Sequence, residues 1–213
     1  MNTEQKTWTI NAIRDANRDA GYHWFDSDTL RFFASKVYGR VYQGENGIYF
    51  VSSEKSGFDD EARQYKVRVF NPDTSNVDTY GDRESSYKDR PSAERAAIRA
   101  AGRNCEVHYE DFVAPTAADD LLRALAAESA AFDLGKVQQL IQLAKRHHRG
   151  AERECNEGGD HTTATEKKIV ALLAGSGIGA IFSGDPRGCT VRLKMPSGRT
   201  NDFANTGWCI TTN

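Results

Sequence analysis

Residues 184–188 place one acidic and one basic side chain beside proline and glycine, the residues that form rigid turns. They read Gly184-Asp185-Pro186-Arg187-Gly188. Proline fixes one φ angle and glycine leaves the backbone permissive, so the segment predicts a β-turn in which Asp185 accepts amide hydrogen bonds. Arg187, held at the tip, could bind a phosphate or a carboxylate. No glycine-rich loop leads into a helix here, as a phosphate cradle requires, so the turn interpretation is favoured. Asp185 and Arg187 are kept as candidate binding residues.

Aromatic residues are dense in the first half of the chain, and four residues there are candidates for binding. Tyr38 and Tyr42 share strand parity with Arg40, and Tyr49 faces them if the register of a predicted hairpin allows. Tyrosine and arginine dominate the hot spots of protein interfaces, and aromatic rings also stack on single-stranded nucleic acid. The competing interpretation is that these tyrosines are core, because a sheet buries large side chains against its helices.

The cysteines and histidines lack the spacing of a metal site. No cysteine belongs to a C-x-x-C pair, and His161 is only loosely spaced from Cys155. Structural zinc takes four ligands, usually in close pairs. We therefore predict no metal and no cofactor. We expect the four cysteines to be free thiols: Cys105, Cys155, Cys189 and Cys209.

His147 and His148 lie between Arg146 and Arg149 in a basic cluster. Gly150 follows, so the cluster is interpreted as a solvated helix end, where cations complement the helix dipole. The alternative is contact with nucleic acid or with an acidic partner. Adjacent histidines point to different sides of a helix, so they make a poor metal pair.

The sequence contains no recognisable catalytic motif. It lacks G-x-S-x-G, H-E-x-x-H, a Walker loop and a paired-carboxylate signature. Catalytic residues also assemble from distant positions, so an enzyme is disfavoured rather than excluded. An enzyme acting on a nucleotide signal would need a deep pocket near Arg187 or His161.

The bulk composition is that of a polar globular protein. Hydrophobic residues make up 38% and charged residues 27%, and the formal net charge is −2. No basic half marks a nucleic-acid footprint, and no apolar run approaches the roughly 20 residues that span a bilayer. The N-terminal residues lack the basic-then-apolar order of a signal peptide, so we expect a cytoplasmic protein.

The periodicity in the first half changes from helical to strand-like. After two helical faces, β-branched and aromatic residues predict strands on both sides of Asn46-Gly47, a hairpin turn signal. Alternation predicts a third strand over residues 65–70 and a short fourth over 77–80. An alanine-rich helix follows, and residues 104–113 could close the sheet.

The second half begins with alanine- and leucine-rich sequence, after a change in composition at residues 114–116. Two helices are predicted over residues 119–132 and 134–156. Thr163 and Glu166 have the spacing of a capping box, so a third helix begins there. The predicted strands that follow are residues 178–182, 189–195 and 208–211.

These elements predict an α+β protein. An N-terminal antiparallel sheet of about four strands with flanking helices is followed by a helical segment that leads into a small α-β-β-β domain. The predicted boundaries are residues 1–113 for the α+β domain, 114–157 for a helical connector and 158–213 for the small domain.

Two stretches of the chain resemble small accessory domains of tailed phages and prophages. The first covers residues 20–85 and rests on His23-Trp24-Phe25-Asp26, Thr29-Leu30-Arg31-Phe32-Phe33 and Tyr49-Phe50-Val51-Ser52-Ser53-Glu54. The second covers residues 150–212 and rests on Glu152-Arg153-Glu154-Cys155-Asn156 and the turn at 184–188. Both families are of unknown function, so the resemblance implies a phage or mobile-element accessory protein and carries over no catalytic residue.

The resemblance favours a non-enzymatic protein that binds and inhibits a host protein, as anti-CRISPR and other anti-defence proteins do. A phage-encoded protein of this kind would act in the cytoplasm of the host cell. The alternative is a nucleic-acid-binding accessory protein, and an enzyme acting on a nucleotide signal is less favoured. The expected partner is a host protein or complex. The alanine-rich helices of residues 114–157 can approach one another closely, so a homodimer through them is a further expectation.

Overall fold

The computed structural model describes residues 6–55, 62–82, 85–204 and 207–211. The chain divides into two compact units, Met1–Ala114 and Pro115–Asn213. Each unit contains its own helices and its own antiparallel sheet, which confirms the predicted α+β class.

The first unit contains a five-stranded antiparallel sheet. Its strands are β1 (Lys36–Gly44), β2 (Gly47–Glu54), β3 (Gln64–Asn71), β4 (Asn76–Thr79) and β5 (Glu106–Tyr109). Their order across the sheet is β4-β3-β2-β1-β5. The predicted hairpin is confirmed, because β1 and β2 pair up to the turn at Asn46. Residues 104–113 supply β5, so the sheet has five strands rather than about four.

Helices cover both faces of this sheet. They are α1 (Ile10–Asp19), α2 (Ser27–Phe32) and α3 (Arg90–Ala101). Because side chains alternate along a strand, Phe50 of β2 lies in the core that contains α1, whereas its neighbour Tyr49 packs beneath α3. Both parities of β2 are therefore buried.

The inner face of α3 is alanine, which lets this helix lie close to the sheet. Ala93 and Ala97 are completely buried against it. The helix begins at an N-cap, Asp89, whose carboxylate accepts a 2.8 Å hydrogen bond from the Ser92 amide. It ends at Gly102, which has a φ of 87°.

The second unit combines three helices with a four-stranded antiparallel sheet. The helices are α4 (Ala117–Ala126), α5 (Leu134–Glu157) and α6 (Thr163–Leu173). The strands are β6 (Gly179–Phe182), β7 (Val191–Lys194), β8 (Thr200–Ala204) and β9 (Gly207–Thr211), in that order across the sheet. β8 was not predicted, so the unit continues from α6 as α-β-β-β-β rather than α-β-β-β.

One core joins the helices of residues 114–157 to the small sheet. Leu121 of α4, Leu140 of α5, Ile169 of α6 and Leu193 of β7 belong to the same buried cluster. The segment that the sequence set apart as a connector therefore contributes its apolar faces to the second unit.

Candidate functional site

A cluster of arginines and tyrosines lies where β1 passes beneath the edge of α3. Glu94 of α3 is its centre: one carboxylate oxygen accepts a 3.0 Å bond from Arg40, and the other a 2.7 Å bond from Arg90. The Arg90 guanidinium lies 4.3 Å from the centroid of the Tyr38 ring, within range of a cation–π interaction. Tyr38 stacks in turn on Tyr65, at 6.1 Å between ring centroids. Two predicted residues, Tyr38 and Arg40, thus lie in one network.

The other two predicted tyrosines lie beneath α3. Tyr42 is 2% exposed and Tyr49 is 5% exposed. The Tyr49 hydroxyl donates a 3.1 Å bond to the carbonyl of Asn46, which fixes it to the hairpin turn. Both side chains are therefore buried as the core interpretation expects, and Tyr42 also forms part of the lining of a surface groove.

A groove of about 490 Å³ runs between α3 and β5. Its lining residues are Arg40, Tyr42, Pro91, Glu94, Arg95, Ile98 and Val107. Apolar side chains are exposed in and beside it, with Ile98 at 43%, Val107 at 51% and Tyr109 at 66%. Sequence reasoning missed these three residues. For Val107 and Tyr109 a signal existed: they alternate along the segment that could close the sheet, which places both on one face of a strand.

Burial sets the electrostatics at the base of the groove. Loss of solvent, together with a smaller contribution from the neighbouring Glu94 carboxylate, raises the pKa of Tyr42 to about 12. The phenol is therefore neutral at physiological pH and offers the groove a hydroxyl rather than a base.

Alkaline titration should report this burial. Between the ordinary pKa of 10.0 and the folded value of about 12, the unfolded chain loses the Tyr42 proton while the folded chain keeps it. The free energy of unfolding should therefore fall as pH rises, with Tyr42 supplying about 1–2 kcal/mol of the fall. Urea denaturation of the wild type and Tyr42→Phe at neutral pH and near pH 12 measures that share. Equal alkaline losses in the two proteins would contradict it.

A second cavity, of about 310 Å³, lies on the opposite face of the same sheet and contains a buried arginine. Arg68 donates hydrogen bonds to Ser52 at 3.0 Å, to Thr79 at 2.5 Å and to the carboxylate of Glu54. The guanidinium also lies over the ring of Trp24, at 5.2 Å from the centroid. Burial lowers the pKa of Arg68 to about 10, so it remains charged at neutral pH.

The polar side chains of this second cavity bond to one another. The Ser52 hydroxyl is held by Arg68 and not by a general base. Glu54 is shared between Arg68 and Lys66, whose amine lies 3.5 Å from the carboxylate. Asp78 of β4 lines the same cavity and interacts electrostatically with Arg68, so two carboxylates face the two cations.

The turn at residues 184–188 has the geometry that its sequence predicts. The Asp185 carboxylate accepts a 3.0 Å bond from the Arg187 amide and a 3.1 Å bond from the Arg187 side chain. These bonds lower the pKa of Asp185, and the bond to Asp185 raises the pKa of Arg187. The two candidate residues are exposed and together, and the Arg187 charge is partly satisfied within the turn itself.

His147 and His148 are buried, so their interpretation as a solvated helix end was wrong. α5 continues through Gly150 to Glu157, which places both histidines within it. His147 is completely buried, its Nε2 lies 3.0 Å from the carboxylate of Glu166, and its ring packs on Phe182. Glu166, assigned to a capping box, therefore binds a histidine of the neighbouring helix instead.

Metal ligands do not converge in the part of the chain that the structure describes. Among those residues, no group of three or more His, Cys, Asp and Glu side chains could hold a metal ion. None of the described helices has the length and apolar character needed to cross a membrane.

The fold and these sites define an α+β protein whose first unit presents an arginine- and tyrosine-rich groove. Residues 9–98 match the model of a family of unknown function, DUF7447. The matched segment includes β1 to β4 and most of α3, and it ends before β5. Comparison with curated proteins and with solved structures gives no match.

Proposed function

We propose that this chain is a non-enzymatic accessory protein of a phage or mobile element that binds and inhibits a host protein. A host defence complex is the target class that we favour, as for anti-CRISPR proteins, and the site of action is the host cytoplasm. The observation that carries the binding role is the exposed groove between α3 and β5. The phage origin is supported by the resemblance of residues 20–85 and 150–212 to phage and prophage domains.

The groove has the composition of a protein-binding surface. Protein interfaces are enriched in arginine and aromatic residues around an apolar centre, with polar groups at the rim. Here the exposed side chains of Ile98 and Val107 form the apolar part, and Tyr109 adds an exposed ring beside them. Arg40 and Arg95 line the same groove.

The pairing of charges favours a protein over nucleic acid as the partner. Binding to phosphates draws its free energy from cations that neutralise them and release counterions. Arg40 and Arg90 both already bond to Glu94, so a carboxylate stands among the cations that a phosphate would have to approach. The formal net charge of −2 also disfavours binding to phosphates.

Self-association through residues 114–157 has weaker support. The apolar faces of α4 and α5, represented by Leu125 and Val137, are buried in the core of their own unit. A dimer through these helices would have only their outward faces to use.

Charge reversal on α3 tests the proposal. Arg95 lines the groove, whereas Arg99 is exposed on the same helix and does not belong to the lining. We expect Arg95→Glu to reduce capture of a host protein from lysate by roughly tenfold, and Arg99→Glu to leave capture unchanged. Affinity purification with quantitative mass spectrometry on the full chain measures both. Capture of nothing above background, or equal capture by both variants, would contradict the proposal.

A further inference from the structure

We infer that the outer edge of β5 takes up an extended, acidic segment of the partner as a sixth strand of the sheet. This inference rests on the proposed function and names its binding mode. The sheet order ends at β5, and in the part of the chain that the structure describes no strand pairs with its outer side. Strand addition of this kind gains affinity from main-chain hydrogen bonds and specificity from side-chain pockets.

The register of β5 on β1 identifies the backbone groups that face outward. The Glu110 amide donates a 3.1 Å bond to the carbonyl of Gly39, so residue 110 faces β1. In an antiparallel pair, successive residues alternate between facing the partner strand and facing away from it. Arg40 pairs with Tyr109 and Tyr42 with Val107. The amide and carbonyl groups of Val107 and Tyr109 therefore point away from β1.

The end of β5 lies close against β1. A Cβ atom on Gly39 would overlap the carbonyl oxygen of Glu110, which directly follows β5, so the chain approaches β1 there as closely as only glycine permits. Natural sheets often block an exposed edge with charged residues or proline. β5 has one such residue, Glu106 at its start, and its remaining residues Val107, His108 and Tyr109 include no lysine or proline.

The groove beside this edge fits an apolar side chain. A strand added to β5 places every second side chain on the α3 face, where Ile98 and Val107 line the groove and Tyr42 forms part of its lining. One apolar residue of the added strand would therefore bury itself between α3 and β5, and its backbone would pair with the outward groups of Val107 and Tyr109.

The charges around the groove select an acidic segment. On the α3 face, Arg40, Arg90 and Arg95 lie among two carboxylates, those of Glu94 and of Asp111, which bonds to the Tyr109 hydroxyl. Arg40 and Arg90 are paired with Glu94, whereas Arg95 donates to the neutral hydroxyl of Ser92, so Arg95 is the cation that an acidic side chain of the added strand would meet. A second copy of this chain, pairing edge to edge through β5, would bring two such arginine sets onto one sheet. Like charges on neighbouring strands oppose such pairing, whereas one aspartate or glutamate beside the buried apolar residue complements Arg95.

Proline at position 107 tests the strand addition directly. The Val107 amide faces outward, so Val107→Pro removes a hydrogen-bond donor that the partner strand would use and spares the bonds to β1. The control is Val107→Thr, which keeps both the amide donor and the β-branched shape of the side chain. Short random peptides are first selected on the full chain and then synthesised. We expect them to combine an apolar residue with neighbouring aspartate or glutamate. Fluorescence anisotropy should show at least roughly tenfold weaker binding to Val107→Pro and little change for Val107→Thr.

A second arm keeps the test decisive if Val107→Pro fails to fold. Two variants of a selected peptide are synthesised, one with every second backbone amide N-methylated and one with the intervening amides N-methylated. One variant should fail to bind the wild-type chain, and the other should still bind. Recovery of no peptide, equal binding by a folded Val107→Pro, or no effect of N-methylation would overturn the inference. Host-protein capture that is lost with Arg95→Glu but retained with Val107→Pro would overturn strand addition alone and leave the proposed function standing.

Discussion

Replacing Arg68 by methionine is expected to lower the free energy of unfolding of the first unit by about 3 kcal/mol. The Arg68 side chain is 8% exposed and ties β3 to Ser52 and Glu54 of β2 and to Thr79 of β4. Methionine fills most of the volume but leaves the Glu54 carboxylate, itself mostly buried, without its main cation. The loss combines the missing hydrogen bonds with an under-compensated buried charge.

Two further variants separate these contributions. Arg68→Lys keeps the charge but not the planar fork, so it should recover part of the stability. The double variant Arg68→Met with Glu54→Gln has no buried carboxylate left without a cation. Its loss in the free energy of unfolding should therefore be smaller than the sum of the losses of the two single variants. Urea denaturation gives the free energies, and hydrogen exchange of β2 and β3 amides locates the change in the first unit. A loss below about 1 kcal/mol for Arg68→Met would contradict a structural role for this cluster.

The strands of the first unit could be predicted because their signals are local. Alternation on both sides of Asn46-Gly47 is enough to place β1 and β2, and the same pattern places β3. β8 had no such signal, since it is a polar segment that becomes a strand by pairing with β7 and β9.

The faces of those strands could not be predicted from the same pattern. Alternation along the strand places Tyr38, Arg40 and Tyr42 on one face of β1. It does not indicate how far α3 extends over that face. Tyr42 is buried because the alanine face of α3 covers it, while Arg40 at the helix edge stays exposed. Arg68 was missed because lysine and arginine alternating with valine resemble a half-solvated strand.

Long-range partners account for the remaining errors in the second unit. His147 is flanked in sequence by arginine, which suggested a solvated helix end. Its burial depends on Glu166 of α6, and no local sequence pattern predicts a hydrogen bond between two helices. Gly150 suggested the same end, but it serves a close approach between α5 and the loop before α6.

Gly150→Ala should therefore destabilise the second unit by about 2–3 kcal/mol, although alanine favours a helix interior over glycine by about 1 kcal/mol. A Cβ atom at position 150 would lie 2.6 Å from the carbonyl oxygen of His161, and backbone on both sides prevents an easy adjustment. The matched control is Gly135→Ala, in the exposed first turn of α5, where the nearest atom is a side-chain oxygen of Asp133 at 3.2 Å. That variant should be neutral or slightly stabilising.

Local hydrogen exchange distinguishes this steric effect from a general loss of helix stability. The amides of His161 and Thr162 donate bonds of 2.6 Å and 2.8 Å to the Glu154 carboxylate, which holds the loop against α5. Displacement of the loop by a methyl group at position 150 should break these bonds, so both amides should lose protection before the middle of α5 does. If Gly150→Ala proves as stable as the wild type, or if protection falls evenly along α5, the close approach does not explain why glycine occupies this position.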